Sequence, residues 1–175
     1  MTTETLPWFV LYVKPRHEKN IASILQGKGF EQFLPLFERR SMSRISKLPL
    51  FPGYVFCRFD PGNRLPILTV PGVFSIVTNG GKAVPVADAE VDALQRVVRN
   101  GLPREPWPTL TEGTSVVVAR GPLQGVEGLV VSTKNCTRVI ISVGLLRRAV
   151  AVEVEREWLD TSGGTMAHRK AVARV

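Results

Sequence analysis

Trp8, Phe9, Val10, Leu11, Tyr12 and Val13 follow one another without a charged or amide side chain, and an aromatic and β-branched run of this kind predicts a central strand. Pro15 ends it. Over residues 17–26 the apolar positions become Ile21, Ile24 and Leu25, the spacing of one helical face, and Gly27 and Gly29 stop that helix. Two more strands are predicted at 33–37 and 50–59, separated by the polar stretch 38–47, which reads as an exposed basic hairpin tip. After Pro71 and Gly72, a fourth strand over 73–78 ends in the turn Asn79-Gly80-Gly81. A second helix follows, with Asp88 as its expected N-cap and Glu90 and Asp92 at its positive end. Val91, Leu94 and Val98 face inward, and Asn100-Gly101 caps its end.

Beyond it the pattern shortens. Strands are predicted at 115–119, 128–132, 137–143 and 149–154, with a last one near Trp158; five strands in about fifty residues describe a small barrel. The valine- and isoleucine-rich stretches 139–143 and 150–154 favour strand over helix, so this half is expected to be β-structure at all times. Between its first two strands stand Gly121, Pro122, Gly125 and Gly128. Here the proline turns the chain, and the glycines supply positive φ or a close backbone approach. The stretch 101–108 holds three prolines and reads as a stiff connection. The expected organisation is therefore an N-terminal domain at 1–103, a Pro-rich linker at 104–108, a barrel at 109–160 and a flexible tail at 161–175.

Composition narrows the chemistry. The 175 residues carry 23 Lys and Arg against 15 Asp and Glu, a net charge of +8 that points to a polyanionic partner. No apolar run reaches the roughly 18 residues of a membrane span, and the N-terminus shows no basic stretch followed by an apolar one, so a cytoplasmic protein is expected. Cys57 falls in a predicted strand of one domain and Cys136 directly before a predicted strand of the other, and both read as reduced core residues. The two histidines, His17 and His168, lie in no Ser/His/Asp, HExxH or P-loop arrangement, and no enzyme, metal site or cofactor is expected.

Two clusters remain as candidate surfaces. Along 51–59, alternation sends Val55, Cys57 and Phe59 to one face of the strand and Tyr54 and Phe56 to the other. Those two aromatics either meet a partner or pack beneath the flanking helices, whereas Trp8 belongs to the core. Lys14, Arg16, His17 and Lys19 form a cationic group just after the first strand, either a nucleic-acid contact or a solvated helix start. Arg39, Arg40, Arg44 and Lys47 at the hairpin have Glu38 as their nearest acid in sequence and read as a solvated loop unless they touch DNA.

The Gly-Pro-x-x-Gly-x-x-Gly run at 121–128 resembles the KOW motif, which opens SH3-like barrels in transcription elongation factors and ribosomal proteins alike. Trp8 to Tyr12, then Lys14-Pro15-Arg16-His17-Glu18-Lys19, then Pro49-Leu50-Phe51-Pro52-Gly53-Tyr54-Val55-Phe56, then Val70-Pro71-Gly72-Val73 resemble, in order and spacing, the NGN domain of the NusG family. The wording of the second and third runs looks like the specialised RfaH and UpxY paralogues. The resemblance, over about residues 7–160, implies an α+β protein: an NGN domain with an antiparallel four-stranded sheet flanked by helices, plus an SH3-like five-stranded KOW barrel. It implies a monomeric transcription elongation and antitermination factor without a cofactor. Phe51, Pro52, Tyr54 and Phe56 would then bind the β′ clamp helices of RNA polymerase. Lys14, Arg16, His17 and Lys19 would contact non-template DNA in the transcription bubble, and the KOW domain would recruit Rho or the ribosomal protein NusE. The alternatives are a housekeeping NusG acting with Rho and a ribosome-associated RNA-binding KOW protein.

Overall fold

In the computed structural model, which describes residues 6–107, 114–132 and 137–159, the first apolar run forms β1 (Trp8–Val13). Helix α1 (Glu18–Gly27) follows, then the short β2 (Gln32–Phe33). β3 (Leu36–Ser41) and β4 (Arg44–Pro49) form a separate two-stranded hairpin, so the strand expected over 33–37 is broken at Pro35. β5 (Tyr54–Arg58) starts only after the Pro52-Gly53 turn. A single helical turn, α2 (Leu65–Leu68), leads into β6 (Val73–Ile76), and a small hairpin of β7 (Thr78–Asn79) and β8 (Lys82–Ala83) precedes α3 (Asp88–Arg99).

β2, β5, β1 and β6 form, in that order, one antiparallel sheet. Both of its faces are covered, which is why β1 reads as a continuous apolar run rather than an alternating one. Phe9, Leu11, Val13, Val55, Cys57 and Phe59 pack with Ile21 and Leu25 of α1. On the opposite face Trp8, Val10 and Phe56 pack with Val91, Leu94 and Val97 of α3. Val97, not Val98, is the buried residue of the last turn. Asp88 does not cap α3 either: the cap position is Ala87, and Asp88 Oδ1 accepts from Arg58 Nη2 at 2.9 Å. Arg58 also bonds Glu31 and lies 4.8 Å from the Trp8 ring, so the carboxylate serves that cation instead of the helix end.

Residues 104–107 of the stretch expected as a linker form a strand, while Pro108 lies outside the described residues. β9 (Arg104–Trp107) pairs antiparallel with β13 (Arg148–Val154), at the edge of a second sheet of order β10, β11, β12, β13, β9, where β10 is Thr114–Val117, β11 Glu127–Ser132 and β12 Thr137–Val143. An edge position tolerates Pro106, which has no N–H to donate. Trp107 packs beside Ala149 and Ala151, and Arg138 bonds Glu105 at 2.7 Å and Glu153 at 3.2 Å. Trp158, where the fifth strand was expected, stands in a 3-10 turn, although Leu159 makes an isolated bridge with Val118. Cys57 is fully buried, and burial pushes its thiol up to about 12, as an inert core residue requires. Cys136, His168 and the expected tail lie outside the described residues.

Candidate functional site

Alternation along β5 runs as the sequence predicts, yet Phe56 is not at the surface. Its ring stands 5.9 Å from Phe51 and 6.0 Å from Phe33, and Phe51 and Phe56 are both fully buried. Phe56 lies in one apolar core with Phe51, Val10 and Leu94, and Val116, Val139, Ile141, Val150 and Val152 of the second sheet belong to the same core. Tyr54 is half-buried, with the Arg148 guanidinium of β13 5.3 Å from its ring centre, and Pro52 is exposed. Two aromatics that sequence reasoning passed over complete the picture. Tyr12 lies 5.7 Å from Tyr54 and Phe74 lies 5.4 Å from Tyr12, and they are 42% and 57% exposed. The three rings form a row across β5, β1 and β6. Alternation from Trp8 and Val10 places Tyr12 on the face of Tyr54, a signal that the unbroken apolar run conceals.

Polar contacts join the second sheet to the first unit. Arg96 of α3 donates from Nη2 to the carbonyls of Pro122 at 2.9 Å and Gln124 at 2.7 Å, and from Nε to Pro122 at 3.2 Å. Gly144 donates its N–H to Glu90 Oε1 at 3.4 Å. Burial pushes the Glu90 carboxyl above its usual range, and the Gly144 N–H works against that rise.

Lys14, Pro15, Arg16 and His17 form a turn closed by the His17 N–H on the Lys14 carbonyl at 3.1 Å. Arg16 has φ of 68°, a conformation that usually calls for glycine. Lys14, Arg16, His17 and Lys19 are all exposed, so the structure gathers the cationic group on one turn and the helix start after it. Glu18 behaves otherwise: it is only 4% exposed, and its Oε1 accepts the Gly53 N–H at 2.9 Å. The acid that interrupts the cluster in sequence is thus turned inward to hold the Pro52-Gly53 turn. Lys19 Nζ donates to the Lys47 carbonyl at 2.7 Å and ties α1 to the hairpin.

At the glycine-rich turn, Gly121 has φ of 82°, and a Cβ there would lie 2.8 Å from the Trp158 ring. A Cβ on Gly128 would meet Val139 Cγ1 at 2.5 Å and the Ile140 carbonyl oxygen at 2.7 Å. Pro122 and Gly125 lie between them, and the Gly125 N–H bonds the Val118 carbonyl at 2.7 Å. This spacing lets β10 and β11 turn tightly while β11 lies close on β12.

The aromatic row and the cationic turn both belong to the part of the chain built around the four-stranded sheet. Residues 6–95, just over half of the chain, match the family model described as "Transcription termination factor nusG", and the chain belongs to the NusG family of transcription factors. In overall fold it is similar to the structure titled "Domain interaction in Thermotoga maritima NusG", with TM-score 0.55 and 21% identity, covering 88% of this chain and 96% of that one. The MjSpt4:Spt5 complex in conformation B aligns over 87% of this chain and 95% of its own at 19% identity, with a TM-score of only 0.32. No curated protein matches. No described helix is long and apolar enough to cross a membrane.

Proposed function

We propose that this chain binds RNA polymerase through the aromatic face of its first sheet and favours uninterrupted elongation by binding alone. The row Tyr54, Tyr12 and Phe74 carries the reading, because partly exposed aromatic clusters are the usual anchors of protein interfaces. The family resemblance supports the β′ clamp helices as the partner surface. Phe51, Pro52, Tyr54 and Phe56 remain part of this surface, but Phe51 and Phe56 are buried in a core shared with the second sheet and would become available only if that core opened. Lys14, Arg16, His17 and Lys19 would face non-template DNA. The second sheet, read as an SH3-like KOW barrel, would recruit Rho or NusE. Within the family we read the chain as a specialised paralogue of the RfaH and UpxY kind.

Preference for the elongating state is a population shift set by differential affinity. Fluorescence titration of the full chain against purified polymerase tests the proposal. Tyr12→Ala and Phe74→Ala should each weaken binding by about 1–2 kcal/mol while leaving the melting temperature nearly unchanged. Unchanged affinity in both variants, or co-purification with ribosomes and not polymerase, would defeat it.

A further inference from the structure

Four prolines from distant parts of the chain meet in one cleft. Pro15, Pro49, Pro52 and Pro106 line it together with the half-buried Phe37 and Leu48, and its volume is about 470 Å³. Small-molecule sites occupy roughly 300–1,000 Å³ and are mostly apolar with a few placed polar groups. Here the polar groups are cations. Arg16, Lys19 and Lys47 stand exposed along the cleft, whereas its one lining acid, Glu18, is buried and bonded to the Gly53 N–H.

The walls are braced across elements. Lys19 Nζ donates to the Lys47 carbonyl at 2.7 Å and joins α1 to β4, and the Gly53 N–H donates to Glu18 at 2.9 Å and joins the Pro52 turn to α1. Arg104 Nε donates to the Leu36 carbonyl at 2.8 Å and holds β9, which carries Pro106, against β3. A cleft held open in this way takes a ligand without first being ordered. Arg16 adds a second sign: it stands at φ 68°, and strain of this kind persists where the surroundings over-determine it, as at ligand clamps.

The lining also selects the occupant. Prolines have no N–H to donate, and the Lys47 carbonyl is already taken, so the main chain of a peptide finds little to pair with. A bare inorganic anion would leave the apolar walls wet. Flat proline rings and Phe37 suit a planar apolar body, and the cations suit a single negative group at its end.

We propose that this cleft is a binding site for a small aromatic acid, its rings between Phe37, Leu48 and Pro106 and its carboxylate or sulfonate towards Lys47, Lys19 and Arg16. None of Tyr12, Tyr54 and Phe74 lines the cleft, which is therefore a site apart from the aromatic row.

Fluorescence titration of the full chain with anilinonaphthalene sulfonate tests it, with an expected dissociation constant on the order of 10 μM. Lys47→Glu, at an exposed position, should weaken binding of the sulfonate about tenfold, as loss of a charge-assisted hydrogen bond does, and leave binding of the uncharged phenylnaphthylamine unchanged. Leu48→Gln should weaken both. Lys82→Glu, the same change of charge on the exposed β7–β8 hairpin, should weaken neither. Naphthoate should displace the probe at concentrations where acetate and inorganic phosphate do not. The proposal is overturned by unchanged sulfonate binding in Lys47→Glu, by equal displacement with acetate or phosphate, or by a signal that survives Lys47→Glu and disappears in Phe74→Ala. The last result would place the probe on the aromatic row. Polymerase titration of the same variants is a separate reading, since probe binding takes nothing from that row.

Discussion

Arg96→Ala is expected to make the protein a tighter polymerase binder. The guanidinium of Arg96 belongs to neither the aromatic row nor the cationic turn, but it donates three hydrogen bonds from α3 to the carbonyls of Pro122 and Gln124. A hydrogen bond from a charged donor contributes about 1.5–3 kcal/mol net, and the exposure of the Gln124 contact places this group low in that range. Taking about 2 kcal/mol for the whole side chain, its loss raises the equilibrium constant for parting the two sheets by about 30-fold. If Phe51, Phe56 and the covered side of Tyr54 are needed for polymerase, the apparent dissociation constant is the intrinsic one divided by the open fraction. Affinity should therefore rise by up to about 30-fold while the open form of the parent is scarce, and level off once it is common. Polymerase titration of parent and variant gives the affinity, and energy transfer between dyes on α3 and β12 gives the separation. A variant whose sheets part but whose affinity stays level or falls would refute the idea that the second sheet covers the binding face.

Phe56→Ala should cost about 3–5 kcal/mol of stability in urea unfolding, as for other fully buried phenylalanines, and a loss below 1 kcal/mol would mean the ring is not in the core. Gly128→Ala should cost about 1–3 kcal/mol, because backbone and a packed valine oppose the new Cβ, while Gly125→Ala meets open space and pays only its φ of 82°, about 1 kcal/mol. Equal melting temperatures for these two variants would contradict the close approach of β11 to β12. Glu90 has a raised pKa in the folded protein, so its contribution is present at low pH and lost as pH rises through the folded value. Glu90→Gln should accordingly raise the melting temperature by about a degree at pH 7 and leave it unchanged near pH 4, and the same gain at both would show that ionisation is not the cause.

Elements whose partners lie close in sequence were legible. α1, α3, β1 and β6 follow from local periodicity, and the turn at Gly121 to Gly128 follows from what glycine and proline permit. What escaped depended on distant partners. Pro103, Pro106 and Pro108 resemble a linker until β13 supplies an edge for residues 104–107 to pair with. Asp88 reads as a cap until Arg58, thirty residues earlier, claims its carboxylate. Phe56 reads as an exposed anchor because alternation tells which face a residue takes, but not what packs upon that face, here Phe33, Phe51 and the core around α3. Tyr12 was hidden by its own apolar neighbours, and the inward turn of Glu18 depends on an N–H contributed by Gly53.

The placement of β9 has a kinetic meaning. Asn100 to Pro103 are all that separate the end of α3 from the first residue of the second sheet, and Arg104 is itself held by the Leu36 carbonyl at 2.8 Å. The two halves are on a leash of four residues, about 14 Å at full stretch. Tethering that short keeps each half at an effective concentration of the order of millimolar around the other. A contact too weak to join two separate molecules therefore still closes for most of the time. If polymerase takes the first sheet as proposed, the same leash would act in reverse: the released half would stay within a short radius of the enzyme, and any ligand it bound would be held there at a local concentration that a freely diffusing protein would not reach.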